Sequence, residues 1–121
     1  MKYETVLSEL FAAVPEIEPV VRKKMAEEEI REEDGMHTIF SFIIVPLIGE
    51  WCKTDKQIGN HIFGFFGNMA RADDTAVLEI LDFSVLEPIA DMDEPERAFI
   101  EKYMKSETMD RYQHIRDHMF R

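Results

Sequence analysis

Between residues 36 and 53 the chain carries a run that is apolar on nearly every side: Ile39, Phe40, Phe42, Ile43, Ile44, Val45, Leu47, Ile48 and Trp51. A segment that is greasy all round has to be buried, so the rest of the chain must wrap it. Its β-branched content would suit a buried strand, but no second strand candidate exists elsewhere and a sheet needs partners. The run is therefore expected to be a central helix, kinked near Pro46. Its most apolar stretch, Ile39 to Ile48, is ten residues long and includes Ser41 and Pro46, whereas a membrane span needs about twenty.

Charge divides the chain in the same way. Residues 1–35 carry ten acids and five bases, residues 36–72 two acids and three bases, and residues 73–121 thirteen acids and six bases, for a net charge of −11. A nearly uncharged middle lies between two acidic flanks, as expected of a buried centre with solvated helices around it. Phosphate repulsion makes DNA, RNA and anionic lipid poor partners, and a basic protein a better one.

The flanks read as helices. Tyr3, Val6, Leu7, Leu10, Phe11 and Val14 form a helical stripe that Pro15 stops. A second helix is expected over 19–34, with Val20, Val21, Met25 and Ile30 inward and Gly35 as its stop. After the central helix, residues 55–71 place Ile58, Ile62, Phe63, Phe65, Phe66 and Met69 inward, and Gly59, Gly64 and Gly67 allow close backbone approach. Asp73-Asp74-Thr75 caps a helix to about residue 90, with Val77, Leu78, Leu81, Val85 and Ile89 inward and a kink at Pro88. Pro95 opens a helix to about Met104, and Ser106 caps a last one bearing Met109, Tyr112, Ile115, Met119 and Phe120. The expectation is one all-α domain over residues 1–121, of about seven helices, similar to a short helical-repeat stack although no fixed-period repeat is visible. The 121 residues suffice for a core without a disulfide or metal. A single cysteine, Cys52, and a start without a signal peptide's apolar region point to a cytoplasmic protein.

Motifs of chemistry are incomplete. His114 and His118 share one helical face at the zincin spacing, but Ile115 stands where the general base would be. Asp110 and Asp117 would be the third ligands if a metal bound there. Gly59-Asn60-His61-Ile62-Phe63-Gly64 has P-loop glycine spacing, yet Phe65 and Phe66 replace the lysine and hydroxyl residue that reach phosphate and magnesium. Cys52 reads as a small buried residue; a nucleophile would need His37 or His61 brought to it. No catalytic residue, metal site or cofactor is assigned. Two acidic runs remain as partner-binding candidates: Glu28, Glu29, Glu32, Glu33 and Asp34 in the first, Asp91, Asp93 and Glu94 in the second. Phe65, Phe66, Met69, Val85 and Leu86 could alternatively line a small-ligand cavity.

Pro46-Leu47-Ile48-Gly49-Glu50, Phe63-Gly64-Phe65-Phe66, Ser84-Val85-Leu86-Glu87-Pro88-Ile89 and Lys102-Tyr103-Met104 with Thr108, in that order, resemble a group of small bacterial all-helical proteins. Members of that group look like the immunity partners of polymorphic and contact-dependent toxins. The resemblance spans most of residues 36–110, leaves 19–35 outside it, and transfers no functional residue. With the acidic balance, it implies a non-catalytic module that neutralises a basic toxin domain, such as a nuclease. The alternatives are a small metal-dependent hydrolase using His114 and His118, or a ligand-binding regulatory domain.

Overall fold

The computed structural model describes residues 1–119, which form seven helices and no strand. Helix α1 (3–13) begins as a 3-10 turn, Tyr3–Thr5, and runs on as Val6–Ala13. It buries Val6, Leu7, Leu10 and Phe11 of the predicted stripe, with Val14 buried just beyond its end and Tyr3 half-buried. Helix α2 (15–27) opens on the 3-10 turn Pro15–Ile17 and continues as Glu18–Glu27.

The expected helix to residue 34 is not formed. Glu29 takes a left-handed φ of 56°, its N–H bonds to the Ala26 carbonyl at 3.2 Å, and the Ile30 N–H to the Met25 carbonyl at 2.8 Å. That pair of bonds is a Schellman stop, which satisfies the last carbonyls and turns the chain out. A separate 3-10 turn, Glu32–Asp34, then leads through Gly35 into the central helix. Val20, expected inward, is exposed; Val21 and Met25 carry the burial.

Helix α3 (36–54) is the predicted centre, and it buries Ile39, Phe40, Ile43, Ile44, Ile48, Trp51 and Cys52. Its neighbours are α4 (Lys56–Ala70), capped by the Asp55 carboxylate on the N–H groups of Gln57 and Ile58, and α5 (75–90), capped by Asp74. Both α3 and α5 widen into π-helix ahead of a proline, over Phe40–Ile44 and Ile80–Leu86. In each, the residue just before the proline donates its N–H five residues back, Val45 to the Phe40 carbonyl and Glu87 to the Asp82 carbonyl. Proline brings no N–H and crowds the carbonyl four residues earlier. Slipping the register there makes room for the ring at a place where one bond is lost anyway. The two prolines stand 42 residues apart, and the π segments pack against each other.

Helix α6 (Glu96–Glu101) is shorter than expected, with Pro95 at its cap and not in its first turn. It stops because Tyr103 and Met104 fold back on the carbonyls of Ile100 and Glu101. The Tyr103 ring can then enter the corner between α3 and α4, where its hydroxyl donates to the Cys52 carbonyl at 2.8 Å. A Cβ on Gly59 would lie 2.8 Å from Tyr103 Cε1, so the glycine makes that wedge possible.

Helix α7 (Ser106–Met119) starts at Ser106 itself, after Lys105. It is tied back by Arg111 to Asp82 (2.8 and 2.7 Å) and by the Tyr112 hydroxyl to Glu101 (2.5 Å). Phe120 lies outside the described residues. One apolar cluster links Leu10, Ile43, Phe63, Phe66, Val85 and Tyr112. Among the described residues, no helix is long and apolar enough to cross a membrane.

Candidate functional site

The two acidic runs are built differently. In the first, Glu28 lies 3.3 Å from Lys24, Glu32 3.1 Å from Arg22, and Asp34 accepts the Arg31 N–H at 2.8 Å. Glu28 and Glu29 sit at the stop of α2, while Glu32, Glu33 and Asp34 lie on the following 3-10 turn. The five residues therefore do not share one helical face. Arg22, Lys23 and Lys24 precede them and Arg31 lies among them, and two of the five, Glu28 and Glu32, are neutralised locally.

The second run belongs to a larger feature. From residue 72 to residue 96 there are nine acids and no lysine, arginine or histidine. Three of the nine have partners: Asp74 accepts the N–H groups of Tyr3 (3.0 Å) and Ala76 (2.9 Å), Asp82 holds Arg111, and Glu94 holds Arg97 at 2.7 Å. Those two backbone bonds keep the Asp74 carboxyl below the usual carboxylate range. Asp73, Glu79, Glu87, Asp91, Asp93 and Glu96 have no side-chain hydrogen bond or ion pair among the described residues. None of the six is held in a contact ion pair, and all but the half-buried Glu87 are exposed.

Phe83 stands in the middle of this stretch and is 56% exposed. Its placement follows from its neighbours: Asp82 reaches α7 through Arg111, Ser84 reaches α3 through His37, and Phe83 lies between them, facing out. Glu79 and Glu87 flank it four residues away on either side. On adjacent α3, Phe42 is 66% exposed, and residues 36–52 again hold no lysine or arginine. Farther along α3, Pro46, Gly49 and Lys53 follow at helical spacing, and the Glu96 side chain lies over Gly49, where a Cβ would meet its Oε1. That stripe opens into a cleft of about 560 Å³ lined by Lys53, Asp93, Glu94, Pro95, Glu96 and Phe99. The arrangement offers an acidic surface with aromatic contact points, suited to cations and to apolar side chains together.

Other predicted chemistry is placed as follows. The rings of His114 and His118 lie 4.1 Å apart, and His118 Nδ1 is 2.8 Å from the His114 carbonyl. His114 shares an open cleft with Asp82, Asp110, Arg111 and Ile115. Among the described residues, no three His, Cys, Asp or Glu side chains converge as a metal-ligand set. Asp117 accepts from Gln113 at 3.2 Å. Cys52 is buried, and desolvation pushes its thiol pKa up to about 11. Phe65, Phe66, Met69, Val85 and Leu86 are all core residues, and none of them lines either of these clefts.

A contact that motif reading did not anticipate joins His37 Nδ1 to Ser84 Oγ at 2.6 Å. Ser84 is only 4% exposed, so the pair acts as a tether between α3 and α5. The exposed phenylalanines were also hidden, because apolar residues in an apolar run read as core. The base-free stretch before Arg97 was visible in the letters and is the signal that could have located the face.

Comparison with curated proteins and with solved structures returns no match. A family model does match, over residues 7–119, and it covers the glutamate-rich segment 19–35 that the sequence resemblance left out. The chain belongs to the family described as a domain of unknown function, DUF7674.

Proposed function

We propose that this chain is a non-catalytic protein-binding module for a basic partner, most concretely a cytoplasmic immunity protein that neutralises a cognate bacterial toxin. One observation carries the reading: six carboxylates between residues 72 and 96 without a counter-ion, on a stretch without a single base. A toxin that cleaves nucleic acid must hold phosphates in a basic cleft, and such a cleft is the complement of this surface. Opposite charge steers encounter and raises the association rate, which suits a protein that must capture its target before damage is done.

The test uses the full chain as bait in an extract of its source cell, beside a variant carrying Glu79→Lys, Glu87→Lys, Asp91→Lys and Asp93→Lys. A basic protein retained by the wild type and lost from the variant is the expected result. Expressed alone that protein should arrest growth, and co-expression of this chain should restore it. A retained partner without basic character, or one whose toxicity this chain leaves untouched, would overturn the reading.

A further inference from the structure

We propose that Phe42 and Phe83 are the apolar anchors of the docking surface, and that the outer face of α3 and α5 receives a basic amphipathic segment of another protein. The inference rests on the reading of a basic partner and adds where that partner sits and which chemistry holds it. Single exposed apolar side chains are ordinary on protein surfaces. These two differ in their setting. They are the two most exposed large hydrophobic side chains described, they sit on helices that pack against each other through their π segments, and both segments are free of lysine and arginine.

Neither ring has work inside the fold. Phe83 is held outward between the Asp82–Arg111 and Ser84–His37 contacts, and Phe42 is solvated while its neighbours Ile43 and Ile44 are fully buried. Aromatic side chains at the centre of an interface supply most of its binding energy when a partner seals them from water. Here Glu79 and Glu87 lie one turn either side of Phe83, so the matching segment carries apolar side chains flanked by lysine or arginine. A second copy of this chain is a poor occupant, because two faces on which carboxylates outnumber bases would meet with like charge. Anionic lipid is repelled for the same reason.

The probe is a synthetic 18-residue helical peptide with leucines along one face and lysine and arginine on the others, beside an equally charged peptide with serine replacing leucine. Backbone amide shifts of the isotope-labelled full chain locate binding. Phe42→Ala/Phe83→Ala tests the anchors, with circular dichroism to verify its fold. The leucine peptide should bind the wild type more tightly, move amides over residues 37–46 and 79–91, and lose about tenfold or more in affinity on the double substitution. Serine-peptide binding should be weaker and indifferent to that substitution. Shifts centred on residues 27–34, or equal affinities for the two peptides, would overturn the anchors and leave a basic partner standing. No binding of either peptide at low salt would overturn both. A dimer of the chain alone that the double substitution abolishes would assign the face to a second copy and overturn the proposal.

Discussion

Glu29 holds a left-handed backbone at φ 56°, a conformation that disfavours any side chain with a Cβ and suits glycine. Its two neighbouring hydrogen bonds are backbone bonds, so glycine would keep them. Glu29→Gly should therefore raise stability by up to about 1 kcal/mol in urea unfolding, and a loss would mean that the glutamate side chain contributes something the backbone does not. Asp74 has the opposite character. Its carboxylate caps α5 and holds the first turn of α1 at once, through Ala76 and Tyr3. Because these bonds hold its folded pKa below the ordinary value, the stability it adds is fully present above the unfolded value of about 4 and is lost as pH falls through the folded one. Asp74→Asn should lower the melting temperature at neutral pH, and the gap from wild type should close in acid. A gap independent of pH would remove the charge from the account.

The helix glycines make a sharper comparison, since Gly59 and Gly64 sit in the same helix. A methyl group at Gly59 would meet Tyr103 at 2.8 Å and the Cys52 sulfur at 3.3 Å, while one at Gly64 meets nothing within 4 Å. Gly59→Ala should cost about 1–3 kcal/mol by forcing the wedge outward. Gly64→Ala should gain about 0.5–1 kcal/mol from helix propensity. Equal effects in chemical denaturation would show that the Tyr103 contact has no energetic weight. Helices α1, α3, α4 and α5 were legible because apolar periodicity, proline stops and aspartate caps are local signals. The stop at Glu29 was not, because a Schellman turn normally announces itself with glycine. Nor was the early end of α6, which follows from where Tyr103 goes, 51 residues from the carbonyl it meets. The candidate face was half legible: Asp91, Asp93 and Glu94 could be picked from composition, while Phe42 and Phe83 required knowing which side of α3 and α5 remains uncovered.

Across the whole molecule a net charge of −11 repels itself, and the eight ion pairs among the described residues that oppose this repulsion are partly solvated. Raising sodium chloride from about 0.02 M to about 0.5 M should therefore raise the urea midpoint, because screening relieves repulsion over longer distances than it weakens contact pairs. A falling midpoint would put the Arg111–Asp82, Arg22–Glu32 and Arg71–Glu107 pairs ahead of the general repulsion. The Tyr103 wedge has a consequence for experiment. It covers a corner that holds the chain's one thiol, buried and poorly ionised at neutral pH. A thiol reagent reaches Cys52 only through an opening of the fold that exposes it, so the labelling rate counts such openings without any introduced probe. Tyr103→Phe, which removes the bond to the Cys52 carbonyl, should speed labelling about fivefold. The molecule thus carries a chemical stopwatch for the breathing of that corner.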